Sequence, residues 1–352
     1  MGEPRSGAVA RRTRAAAAAM VCILLAFSLI ALAGACSAGD ALNTVAPGEA
    51  RAYTLASTAP VKPGLMDHGE DWTHLNQVLG YVQKHELPRP AVYLLGGSAT
   101  RECTVNDLDW RRQIVAFDGP RVEAFNLGAM NESFDENIEM VRLLPDVPTL
   151  VIIGVNLGRY AWHAPSPEKA IARVKADTRG VIQPYSQHRF TYLHIMGDAR
   201  KRELMYRWLD ERYPVFKANF RYNAGRLHEL VAACLARGFH PVLLNMPMNE
   251  AVVRHGLDYP RARVANNARH VAEEYGIPYV DVLPRVPFVS RDFMDLWHLV
   301  EPGRVKWQKK LSRNTVRLLD LYDITTIPTP TPSESPSPSP SPSDSASSPT
   351  AP

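Results

Sequence analysis

Five short apolar runs, each stopped by glycine or proline and separated by segments of helical period, constrain this chain more than any other feature. Residues 91–95 (AVYLL) end at Gly96-Gly97, residues 121–126 (RVEAFN) at Gly128, and residues 149–153 (TLVII) at Gly154. Residues 241–245 (PVLLN) end at Met246-Pro247, and residues 278–282 (PYVDV) at a proline-rich stretch. Runs of that length and apolarity read as parallel strands buried on both faces. Between them, Phe134, Ile138, Val141 and Leu144 recur at helical steps. So do Phe216, Phe220, Leu227, Leu230, Val231 and Leu235. Helices are predicted over 71–85, 131–144, 213–237, 261–275 and 302–319. Strand–helix alternation predicts an α/β fold, an open sheet with helices on both faces. Ligands in such sheets bind beyond the carboxyl ends of the strands. Residues 161–212 are long for a connection between strands 3 and 4. They read as an insertion, a lid or substrate wall carrying His163, Tyr185, His188, Tyr192, His194 and Trp208.

The chain ends differ in character from this region. Arg11, Arg12 and Arg14 precede an uncharged run over 15–35 that closes on small residues and Cys36. This is the pattern of an export signal. Three outcomes stay open: cleavage after Ala33-Gly34-Ala35, lipidation of Cys36, or retention as a membrane anchor. Each puts the rest of the chain outside the cytoplasm. Residues 1–36 are therefore read as signal peptide or anchor, and 37–61 as a linker. Residues 323–352 are read as a disordered Pro/Ser-rich tail, because proline removes donors and serine adds nothing to bury. The net charge of +4 is spread thinly, with no basic stripe interleaved with aromatics, so no nucleic-acid partner is expected.

Four pieces of chemistry fall at successive strand ends. Ser98, in GGSATRE (residues 96–102), follows the first strand where a helix begins. Taken alone it reads first as a helix N-cap. Asp295 stands three residues before His298, close enough to reach Nδ1 and leave Nε2 to take a serine proton. Gly128 and Asn156 follow the second and third strands, where oxyanion donors beside Ser98 are needed. Arg159, Tyr160 and His163, with Met248-Asn249-Glu250, are expected on the same rim. Arg159, Tyr160 and Asn249 are the candidates for holding substrate.

This constellation resembles the SGNH (GDSL-like) hydrolases, over about residues 91–319. The resemblance carries the family nucleophile onto Ser98, its acid and base onto Asp295 and His298, and its oxyanion donors onto Ser98, Gly128 and Asn156. It implies a flavodoxin-like three-layer α/β/α sandwich over 62–322, with a parallel sheet in order 2-1-3-4-5. It implies O-acyl ester chemistry without a metal or other cofactor. Gly97 replaces the family's acidic residue, and Leu157 follows Asn156 where many members have an acid. Both departures resemble the branches that modify cell-envelope polysaccharides. The expected function is an esterase or O-acyltransferase on acyl esters, acetyl foremost, of a cell-envelope glycan. The alternative is a noncatalytic surface scaffold or adhesion module. The implied strand order also puts Cys103 and Cys234 on opposite faces of the sheet, which predicts two free buried thiols.

Overall fold

The computed structural model describes residues 70–162, 166–177 and 188–325, all within the unit Pro60–Pro352. The export segment (1–36), the linker (37–61), His163, Tyr185 and the tail from 326 onward lie outside the described residues. Among the described residues, no helix is long and apolar enough to cross a membrane.

The chain runs α1 (Glu70–Lys84), β1 (Ala91–Leu95), α2 (Ser98–Arg101), α3 (Asp107–Ala116), β2 (Glu123–Asn126), α4 (Phe134–Leu143) and β3 (Thr149–Val155). It continues with α5 (Leu157–Ala161), α6 (Pro167–Arg173), α7 (Asp198–Arg207), α8 (Tyr213–Ala236), β4 (His240–Asn245) and α9 (Glu250–Val253). It closes with α10 (Asp258–Tyr275), β5 (Tyr279–Val280) and α11 (Glu301–Leu321). The five strands form one parallel sheet in the order 2-1-3-4-5. That is the order the resemblance implies.

Strand alternation sorts the core into two layers. Val92, Leu94, Leu150, Ile152, Val242 and Leu244 face Trp110 and Ile114 of α3, and Trp307 and Leu311 of α11. Tyr93, Leu95, Val151, Ile153 and Leu243 face α1, α4, α8 and α10 through residues such as Leu79, Phe134, Leu227 and Val271. Trp307 is fully buried, and truncating such a residue to alanine costs about 3–5 kcal/mol. The two cysteines follow the same division, Cys103 beside Trp307 and Cys234 in the opposite layer, and both are free. Burial raises both thiol pKa values, Cys234 to about 12.

The region after β1 is broken into short pieces. In place of one continuous helix there is a single turn, α2, then a turn holding Cys103, then α3 capped by Asn106, whose side chain accepts from the Asp109 N–H at 2.7 Å. Glu102, in that break, is a buried hub. It binds Arg101 and Arg304, accepts from the Arg189 N–H at 2.9 Å, and stands 3.5 Å from His188. Burial works to raise its carboxyl, but His188, Arg101 and Arg304 outweigh it and hold the group ionised. Glu102 thereby ties the end of α2 to α11 and to the inserted segment.

Candidate active site

The residues that meet at the sheet's carboxyl edge come from four separate parts of the chain. Gly96 and Gly97 carry the chain out of β1, and Ser98 opens α2. This turn is tightly packed. The glycines at the ends of three strands, Gly96, Gly128 and Gly154, all close on the Thr100 side chain, and a Cβ at Gly128 would stand 2.5 Å from the Arg101 backbone nitrogen. Only glycine lets α2 settle onto the sheet there. Gly97 has room for a side chain, its nearest such contact being 3.9 Å away.

Between β5 and α11 the chain brings Asp295 and His298 back over this turn. His298 Nε2 lies 2.8 Å from Ser98 Oγ, and His298 Nδ1 lies 2.8 Å from Asp295 Oδ2. Asp295 Oδ1 accepts the backbone N–H groups of Trp297 (3.0 Å) and His298 (2.9 Å). Burial pushes the Asp295 carboxyl up, but His298 and these donors outweigh it and hold its pKa below the ordinary value. The carboxylate therefore fixes the proton on Nδ1 and leaves Nε2 as the acceptor facing the serine.

Asn156 caps α5. Its Oδ1 accepts from the Arg159 N–H at 3.1 Å, which turns its Nδ2 away from the helix. The Nδ2 group has no partner among the described residues, and Asn156 lines the same cavity as Ser98 and His298.

Gly128 corrects the sequence reading. Its N–H is already taken, donating to Asn126 Oδ1 at 3.0 Å, and the residue does not line the cavity. Its glycine character serves close packing against α2. The loop it opens instead delivers Asn131, which lines the cavity and has a left-handed backbone, φ 57°. The Asn131 N–H has no partner among the described residues. The signal for it was slight: Asn is one of the few residues besides glycine that tolerate this conformation.

The three candidate substrate-binding residues also fall differently from expectation. Tyr160 is a core residue, stacked on Phe220, with its hydroxyl donating to Asn267 Oδ1 at 2.9 Å. Asn249 is fully buried behind the catalytic loop and donates to the Asp295 carbonyl at 3.2 Å. Arg159 borders the cavity, but its guanidinium turns inward to the Gly154 carbonyl (3.1 Å), Asn137 and the Phe134 ring. Burial lowers its pKa to about 10, against the pull of Glu132. Asn249 and Arg159 therefore support the site from behind.

Other braces were not legible. Asp71 of α1 accepts the Met130 N–H at 3.0 Å and pairs with Arg101, holding the Asn131 loop beside α2. Glu132 does the same from within, accepting from Gly96 N–H (3.0 Å) and Ala129 N–H (2.8 Å). Lys201 of α7 is fully buried and spends its ammonium protons on Ser290 O (2.7 Å), Ser290 Oγ (3.0 Å) and Phe293 O (3.0 Å), just before Asp295.

The cavity over Ser98 holds about 270 Å³. The inserted segment supplies one wall: Trp162, Phe190, Trp208 and Arg212, the last two at either end of a π-helical turn. Phe190 lies 5.0 Å from the His298 ring. Trp297, Met248, Met130 and Leu157 add to the apolar lining.

No family model and no curated protein matches the chain. Solved structures do. A lipase/acylhydrolase from Enterococcus faecalis is 13% identical with TM-score 0.36, over 66% of this chain and 95% of that one. A catalytic mutant of an acetylxylan esterase from Geobacillus stearothermophilus is 12% identical with TM-score 0.39, over 65% and 93%. A GDSL-like lipase from Bacteroides thetaiotaomicron is 10% identical with TM-score 0.36, over 70% and 98%. Likeness this loose carries no argument about this chain, whose fold is defined by its own strand order and whose site is defined by its own geometry.

Proposed function

We propose that this chain is an extracytoplasmic serine esterase or O-acyltransferase of the SGNH type. It would act on acyl esters, acetyl foremost, of a cell-envelope carbohydrate through an acyl-Ser98 intermediate. The observation that carries the reading is the unbroken relay from Asp295 through His298 to Ser98, each link 2.8 Å. A serine so held needs only an acyl carbon and a place for negative charge.

In the reaction, His298 Nε2 takes the Ser98 proton as Oγ attacks the acyl carbon. The oxyanion is received by the Ser98 and Asn131 N–H groups and Asn156 Nδ2. Collapse expels the sugar oxygen, which takes the proton from His298. A second hydroxyl, from water or from an acceptor sugar, then loses its proton to Nε2 and attacks the acyl-serine. The acyl–Oγ bond then breaks and His298 returns the proton to Ser98 Oγ; water gives the free acid, and a sugar gives a new ester. The aromatic wall of Trp162, Trp208 and Trp297 suits the apolar faces of sugar rings. Arg212, exposed on the same wall and without an ion pair among the described residues, suits a glycan bearing acidic groups. The export pattern at the N-terminus supports a site outside the cytoplasm.

Hydrolysis of p-nitrophenyl acetate by parent and Ser98→Ala proteins tests the reading. Loss of at least a thousandfold in kcat is expected. Equal rates would return the chain to the scaffold alternative. Product partition with an added sugar acceptor then separates transfer from hydrolysis.

A further inference from the structure

A second cluster of chemistry-bearing side chains stands away from the cavity, where α8 packs against α10. His228 of α8, half-buried, faces His270 and Glu274 of α10, both exposed. His270 and Glu274 are four residues apart and so share one helix face. Glu274 Oε2 lies 3.4 Å from His228 Nδ1 and 3.7 Å from His270 Nε2, and all three atoms fall within 4.8 Å of one another. These separations are longer than good hydrogen bonds. They approach the edge of a tetrahedron of N and O ligands about 2.0–2.1 Å from a zinc ion, which is roughly 3.4 Å. The imidazoles are not free to scatter: their ring centroids lie 6.0 Å apart, and Tyr275 packs edge-on against His228 at 5.9 Å.

We propose that His228, His270 and Glu274 form a zinc-binding site that clips α8 to α10. Two imidazoles and one carboxylate suit zinc among the divalent ions available to N/O ligands, and leave a fourth position for water. None of the three residues lines the Ser98 cavity, so the site is separate from the ester chemistry. Its ligands come from two helices, with His228 and His270 42 positions apart in sequence, so no single short motif holds all three.

The test uses the full chain without an affinity tag, stripped with a chelator and titrated with zinc by calorimetry. One saturable equivalent is expected. His270→Ala and Glu274→Gln, both at exposed positions, should each weaken it at least tenfold. At zinc a hundredfold above the parent's Kd, the parent's Tm should rise by about 5–10 °C, and in the variants that rise should fall to about half or less. Esterase rates should be the same in all three proteins. The proposal is overturned by an absence of saturable uptake, or by uptake of equal strength in a His228→Ala/His270→Ala protein, which would put the ion elsewhere, His298 included.

Discussion

Replacing Asp295 with asparagine inverts the relay while keeping its shape. Oδ1 of Asp295 accepts two backbone N–H groups, from Trp297 and His298. An asparagine must therefore keep its carbonyl there, which turns its NH₂ toward His298 Nδ1. That nitrogen now meets a donor and must become an acceptor, so the ring proton moves to Nε2. There it points at Ser98 Oγ, and the imidazole can no longer take the serine proton. The expected loss in kcat is about 10³–10⁴, or about 4–5.5 kcal/mol at 1.36 kcal/mol per decade. Asp295→Ala leaves the tautomer free and should retain more activity than Asp295→Asn. Initial rates on p-nitrophenyl acetate, with near-ultraviolet circular dichroism to confirm intact packing, provide the assay. An asparagine variant within tenfold of the parent, or more active than the alanine variant, would refute the tautomer argument.

Other consequences are as direct. Asn156→Ala removes the side-chain oxyanion donor and should lower kcat by about 10²–10³, while Gly128→Ala should act on stability, through the backbone of Arg101. His74 is buried, and burial lowers its pKa from 6.5 to about 4. The unfolded chain therefore takes up a proton below pH 6.5 that the folded one refuses, and stability falls with acidification across that window. The loss is about 2 kcal/mol by pH 5, read by urea unfolding and absent in His74→Gln. Alkylation without reductant should spare Cys103 and Cys234 in the native protein and modify both in denaturant, as peptide mass spectrometry would report. Arg212→Gln should raise KM for esters of acidic sugars and leave p-nitrophenyl acetate hydrolysis unchanged.

The centre of the sheet was legible because β1, β3 and the middle of β4 are buried on both sides. Residues 91–95 and 150–153 are apolar without a break, and the structure carries the second of these strands from Thr149 to Val155. Asp295 and His298 were legible because a three-residue separation lets one side chain reach the other without help from the fold. The errors share a cause. Gly128, Tyr160 and Asn249 carry groups that suit a binding site, but whether a polar group faces a ligand or the protein depends on which neighbour reaches it first. Asn126 claims the Gly128 N–H, Asn267 claims the Tyr160 hydroxyl, and the Asp295 carbonyl claims Asn249. No local pattern encodes those encounters. Lys201 is the extreme case, since a lysine on a helix as polar as α7 reads as solvent-facing, yet the loop before Asp295 buries it completely.

Fluorophosphonate labelling asks the central question most directly: whether the hydroxyl at the end of β1 is made nucleophilic by the imidazole before α11. Stoichiometric phosphonylation of Ser98 in the parent, located by peptide mass, and its loss in His298→Ala are the expected results. An unlabelled parent, or a label that settles on another residue or persists at full rate without His298, would contradict the account.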